Sequence, residues 1–352
     1  MLSELLSMKA CDDFNTAHPG FDAFNAGHFF TKGAPVEVRS ELAGEPPYPG
    51  GPFWLDAEDY LQQLDLACRL EDSQTKKRLR RLVGRHIESL KAEDATTLDA
   101  RIHMIRDAAL RVIAFQCRGF TDEADLASES WLPYVEWDKR LPREHKVLTF
   151  NYDLVPDLLG FWVVPPGGSD RTTLNNMTYK LHGSLKWTRT GIDKAAHFTA
   201  SADAVDLRGT SGMNIGIATP GPTKRNAVVG PLRKLWEQAC YELQQANSIV
   251  FVGYRFPPSD SEARTRLLEA IALNDSPLLV INTVLGDNVH SPDARRLNAL
   301  LEAVLQNSGR KRDDSAHLEG FNPHPKDKFY VLRAHPLFSQ DFVSIWSPRM
   351  TE

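Results

Sequence analysis

The hydrophobic positions fall into two textures. Between about residues 55 and 140 they recur at helical spacing, whereas between about 141 and 335 they gather into short continuous runs. In the first region Leu61, Leu64, Ala67 and Cys68 predict a helix that Asp56 can cap, with Asp59 where a capping box prefers Glu. Thr75 to Leu90 predicts a second helix, and Thr97 to Phe115, through Ile102, Ile105, Ala109, Val112 and Ile113, a third. Trp131 to Trp137 begins a further piece whose aromatics are expected to pack on a sheet. Residues 1–54 are poorly patterned. Leu2, Leu5 and Leu6 fit a short helix, and the remainder, through Glu45-Pro46-Pro47-Tyr48-Pro49-Gly50-Gly51-Pro52, has loop chemistry.

The second region carries the strands. Val147 to Phe150 is a β-prone run that breaks into Asn151 and Asp153, followed by Leu154, Leu158 and Leu159 at helical spacing. Tyr179 to Trp187 repeats the design, with His182 after an apolar position and before Gly183, where the backbone can turn sharply. Thr188 to about Arg208 reads as irregular, and Ile215 to Lys224 as a strand running into a tight loop. A helix from about Pro231 to Ala246 precedes the continuous apolar run Ser248 to Gly253. Ser259 or Asp260 can cap the next helix, through Ala263, Leu267, Leu268 and Ile271, before a strand from Pro277 that stops on Asn282. A late strand covers Phe329 to Leu332. Strand, helix, strand in this order implies a right-handed crossover. The expected fold is therefore α/β: a Rossmann-like parallel sheet with helices on both faces and a helical insert near 55–140, all in a single domain over 1–352. Such sheets place ligands in the crevice beyond the carboxyl ends of their strands, which is where Asn151, Asp153 and His182 fall.

Composition narrows the classes. The chain has 352 residues, a formal net charge of −5 and 25% charged residues, which argues against a protein built to coat nucleic acid. The dense basic run Lys76-Lys77-Arg78-Leu79-Arg80-Arg81 fits a solvated helix face better than a phosphate-contacting one. No apolar run approaches the roughly 20 residues of a membrane helix. Met1-Leu2-Ser3-Glu4 lacks a basic n-region, so a cytoplasmic location is expected. Cys11, Cys68, Cys117 and Cys240 are scattered, so they form no zinc ribbon, and the histidines show no metal-ligand spacing; no metal is assigned.

Taken in order, Thr149-Phe150-Asn151-Tyr152-Asp153, Lys180-Leu181-His182-Gly183-Ser184-Leu185-Lys186-Trp187, Ile217-Ala218-Thr219-Pro220 with Lys224, the Trp236 helix, Gly253-Tyr254-Arg255-Phe256-Pro257-Pro258-Ser259-Asp260 and Leu279-Val280-Ile281-Asn282 carry a resemblance. Over about residues 140–285 the chain resembles bacterial sirtuin-like proteins of the zinc-free branch, NAD-consuming effectors of anti-phage defence. The resemblance implies NAD as ligand or substrate, hydrolysed to nicotinamide and ADP-ribose. It implies that Asn151 holds the nicotinamide ribose or the attacking water, that Asp153 contacts the carboxamide and that His182 is the base. Gly253, with Tyr254 beside it, would let the backbone approach the ribose-phosphate, and Asn282 would bond the adenosine ribose. It also implies a homo-oligomer or a defence partner protein. Two departures stand out. Arg255 replaces a small hydroxyl residue, and the strand and Gly-Ala-Gly-type loop with which relatives begin is missing, for which truncation is the favoured explanation.

Each of these residues also has a plain structural reading. His182 can be a satisfied core histidine, Asn151 and Asp153 can cap the following helix, and Trp162, Trp187 and Trp236 fit core better than ligand platforms. A non-catalytic module that binds NAD or ADP-ribose, or serves in assembly, is the alternative to the hydrolase. Protein deacylation is disfavoured by the lack of paired cysteines.

Overall fold

A computed structural model describes residues 8–18, 57–69, 98–168, 177–191, 196–218, 227–228, 230–256, 260–314 and 327–345. The helical side consists of α1 (Met8–Ala17), α2 (Ala57–Arg69), α3 (Leu98–Asp122) and α4 (Leu132–Arg140). Cys11, Phe14, Tyr60, Leu64, Ile102 and Ile113 interlock there as one core. Part of the segment read as irregular, 8–17, is thus helical, and α3 runs seven residues beyond Phe115. Cys117 keeps the apolar face going there, and the Arg118–Asp122 pair at i,i+4 supports the last turn. The helix expected over 75–90 and the basic run lie outside the described residues, as do Leu2, Leu5 and Leu6.

The strands make an α/β architecture of the Rossmann-like kind, divided into three sheets. β1 (Lys146–Thr149) leads through a short helix α5 (Val155–Leu158) to β2 (Trp162–Val163), and β3 (Met177–Lys180) follows. These strands form a parallel sheet in the order β1-β3-β2. β4 (Gly183–Thr190) turns away and pairs antiparallel with β5 (His197–Ala200) and β6 (Ile215–Ile217). The stretch read as irregular after Thr188 therefore contains a strand. Next come α6 (Arg233–Gln245), β7 (Ser248–Val252), α7 (Ser261–Ala272), β8 (Leu278–Val284), α8 (Pro292–Asn307), β9 (Lys311–Arg312), β10 (Phe329–His335) and α9 (Ser339–Ile345). Their four strands make a second all-parallel sheet in the order β7-β8-β10-β9. β1 pairs only with β3 and β7 only with β8 among the described residues, so the two parallel sheets abut without a shared ladder.

Helix α8 was not foreseen, although its signals are present. Ser291 Oγ accepts from Ala294 N at 3.2 Å, Pro292 sits where a helix needs no N–H, and Leu297, Leu301 and Leu305 are fully buried. Each leucine is worth about 2 kcal/mol of burial. The larger core joins α6, α7 and α8 to the parallel strands through Leu148, Phe150, Ile249, Phe251, Leu279 and Ile281. Val147, Val250 and Val284 instead contact Leu141, Phe161 and Phe342. Strand side chains alternate, so these two sets mark the two faces of the parallel layer.

Candidate functional site

The site grows from the carboxyl ends of β1 and β3. Thr149 registers with Lys180, and Leu181 N donates to Thr149 O at 2.9 Å. Residues 150–151 and 181–182 therefore leave the sheet side by side. Gly183 has φ +99°, and a Cβ there would stand 2.1 Å from the Gly216 carbonyl oxygen, so glycine alone permits this reversal between β3 and β4. The reversal turns the His182 side chain inward. Its residue is 4% exposed, its ring lies 4.6 Å from that of Phe150 and 6.4 Å from that of Trp236, and Trp236 Nε1 donates to Leu181 O at 3.0 Å.

The partner of that imidazole comes from far along the chain. His182 Nε2 is 3.3 Å from Asp260 Oδ2, and Tyr254 Oη donates to the same oxygen at 3.3 Å. Asp260 stands at the N-cap of α7, yet its side chain makes no cap hydrogen bond. It is 3% exposed and turned to the histidine instead. Sequence reasoning read it as a cap; a carboxylate just before a helix carries that meaning by default, and only the fold reveals the other use. Phe150 and Tyr254 stack with centroids 4.2 Å apart and planes 16° apart, which ties the end of β1 to the end of β7. Gly253 (φ +72°) and Phe256 (φ +51°) bracket Tyr254, and the second is the one non-glycine residue at positive φ among those described. Left-handed backbone at a bulky residue costs about 1–2 kcal/mol.

Asn151 and Asp153 serve the loop that follows β1. Asn151 is exposed, with its backbone N–H on Thr149 Oγ1 at 3.1 Å and its side chain on the Asp153 carboxylate. Asp153 Oδ1 accepts from Val155 N at 3.0 Å at the start of α5. Burial pushes its carboxyl above the usual range, against the pull of that N–H and of Lys180. The N-cap of α5 is Leu154, so Asp153 does not cap the helix but closes a two-residue turn just before it, and its carboxylate acts on Cys117 of α3 and Tyr134 of α4.

Below this loop lies a buried cation. Lys180, fully buried, places Nζ 2.7 Å from Asp157 Oδ2 and 3.2 Å from Ser184 Oγ, and bonds the Asp153 carbonyl. Lys186 Nζ reaches Asp157 Oδ1 at 3.3 Å. Desolvation lowers the Lys180 ammonium below its ordinary range, and Asp157 opposes that shift. Nothing in its sequence position announced a buried lysine.

Asn282 is set apart. β8 does not stop there; its ladder with β7 and β10 continues to Val284 because both neighbours extend that far. Asn282 lies on the face of Val284 rather than the face of Ile281 and Phe251. It is 1% exposed, and its Oδ1 is 2.8 Å from His335 Nε2. Gly253 N donates to Val284 O at 2.9 Å, and a Cβ at Gly253 would meet Ser339 Oγ of α9 at 3.6 Å. The fold thus joins His182, Phe150, Tyr254 and Asp260, with Asn151 and Gly253 adjacent in the chain, and leaves Asn282 beneath α9. Pro220 and Lys224 lie outside the described residues.

Two clefts lie elsewhere. One, of about 530 Å³, lies between α7 and α8, and the other, of about 260 Å³, lies beside α4 and Ser344. No cluster of His, Cys, Asp and Glu among the described residues could hold a metal ion. No described helix is long and apolar enough to cross a membrane. Set against protein-family models, curated proteins and solved structures, the chain matches none.

Proposed function

We propose that this protein binds NAD at the ends of β1, β3 and β7 and hydrolyses it to nicotinamide and ADP-ribose. The observation that carries the reading is the buried pairing of His182 with Asp260, 3.3 Å apart, at the carboxyl edge of a parallel sheet. In this mechanism water attacks the ribose carbon as its bond to the pyridinium nitrogen breaks. The bonding pair leaves with neutral nicotinamide, and His182 takes the proton of the water. Asp260 is a positioning residue that orients the imidazole and stabilises it once protonated. Asn151, exposed on the rim, is assigned to the ribose or the attacking water, and Gly253 to close backbone approach. Asp153 would act by shaping the Asn151 loop, since its carboxylate is engaged at α5. Asn282 is assigned to the adenosine end, where its Oδ1 lies 2.8 Å from His335 Nε2 and its buried amide nitrogen has no acceptor among the described residues. Neither zinc nor another metal enters the scheme.

His182→Ala and Asn151→Ala are expected to abolish nicotinamide release; the exposed Asn151→Ala keeps a melting temperature near the parent's, whereas His182→Ala lowers it by leaving Asp260 buried without its partner, so its turnover is read below that melting temperature. Undiminished turnover in both variants would remove the mechanism. The burial of the imidazole also favours a second reading, a non-catalytic module that senses NAD or ADP-ribose or serves in assembly. Calorimetric binding of NAD without nicotinamide release distinguishes it. On either reading, a role in anti-phage defence, with a partner protein or a second copy of the chain, is part of the proposal, and a cytoplasmic location goes with it.

A further inference from the structure

His182 is 4% exposed, and Tyr254 is packed on two of its neighbours, Phe150 and Asp260. Tyr254 is half-buried between exposed neighbours, Gly253 and Arg255. It stacks on Phe150 at 4.2 Å, tilts against Phe256 at 4.7 Å and donates its hydroxyl to the oxygen of Asp260 that faces His182. A phenol that lies flat on an aromatic ring, with its polar end on the buried carboxylate, makes the contacts a planar heteroaromatic ligand would make. We propose that the face of Phe150 is the subsite for such a ring, and that Tyr254 fills it in the resting protein as a displaceable plug.

The backbone is built for the displacement. Gly253 and Phe256, both left-handed, sit at the two ends of the Tyr254-Arg255 pair, and Gly253, exposed and without a Cβ, is the position at which the backbone can rotate to swing the ring. Among the described residues, bonds to α8 hold the segment. Arg296 donates to the Arg255 carbonyl at 2.6 Å and to the Phe256 carbonyl at 3.4 Å, and the exposed Arg255–Asp293 pair closes at 2.9 Å. An exposed pair of this kind restrains weakly. Opening therefore leaves the Phe150 face and the shared Asp260 oxygen to the incoming ring, beside the imidazole. The inference deepens the proposed NAD reading by naming where the nicotinamide ring goes and what excludes it, and it rests on that reading only for the identity of the ring.

The test uses the full chain and diethyl pyrocarbonate, with carbethoxylation of His182 followed by peptide mass mapping and exposed His197 as the internal reference. In the parent protein His182 is expected to react far more slowly than His197. Tyr254→Phe, which keeps the ring and loses the tether, is expected to speed His182 modification about fivefold, the equivalent of one hydrogen bond of about 1 kcal/mol. Tyr254→Ala and Arg296→Ala are expected to speed it by more, and nicotinamide or NAD to slow it again. If His182 stays as protected as in the parent in all three variants, the plug is wrong. If it opens and neither nicotinamide nor NAD protects it, the plug stands and the NAD reading falls. Should Tyr254→Ala fail to fold, the other two variants still decide the matter.

Discussion

Asp157→Asn probes the charge on which the Asn151 loop is built. The carboxylate lies 2.7 Å from the fully buried Lys180 ammonium, and two unit charges at that distance attract by about 6 kcal/mol at an effective dielectric of about 20. Breaking a buried pair from one side costs roughly 3–5 kcal/mol, because the remaining charge is left without compensation. Asp157 is itself 11% exposed and Ser184 Oγ and the Asp153 carbonyl remain as acceptors, so the lower end, about 3 kcal/mol, is expected. Lys180→Met removes the buried charge and leaves Asp157 with Lys186, so its cost is expected below about 1.5 kcal/mol. Combining the two changes should recover most of the loss. The pH dependence follows from the lowered folded-state pKa of Lys180 against an ordinary 10.5. Between those two values the unfolded chain holds more protons, so the penalty of burying the ammonium is present at lower pH and is relieved as pH rises toward 10.5. Removing Asp157 lowers the folded value further and widens that window. Equilibrium urea unfolding at about pH 7 and about pH 10 measures the effect. A deficit under about 1 kcal/mol at neutral pH, or a double variant weaker than Asp157→Asn alone, would refute the reasoning.

Gly183→Ala combines positive φ with a 2.1 Å approach to a backbone oxygen, and is expected to cost about 3–5 kcal/mol by chemical denaturation and to dislodge His182. Gly253→Ala meets only Ser339 Oγ at 3.6 Å, and is expected to cost about 1 kcal/mol, from the backbone conformation alone. Trp236→Phe deletes the 3.0 Å hydrogen bond to Leu181 O and leaves a buried acceptor, for an expected loss of about 1–3 kcal/mol in the same assay. Burial pushes the Cys240 thiol up to about 11, so native-state alkylation by iodoacetamide should be slow at about pH 8 and rise steeply toward pH 11; an ordinary thiol rate at pH 8 would contradict this.

The amino-acid order by itself determined the continuous apolar strands β1, β7 and β8, helices α2, α6 and α7, and the turn at Gly183 that carries His182. These depend on neighbours a few residues apart, and hydrophobic spacing reports such neighbours directly. α8 is equally legible, since Ser291, Pro292 and the leucine spacing announce it. Tertiary structure alone decided the rest. Asp260 could have capped α7, and became the partner of His182 only because β3 and the start of α7 meet in space. Lys180 is buried at a strand end because α5 places Asp157 against it. Asn282 seemed to close its strand, but β7 and β10 continue past it, and strand alternation puts it on the face away from Phe251. Periodicity tells which side of an element is buried, whereas the identity of a buried polar group's partner depends on how distant segments are brought together, and no local pattern encodes that.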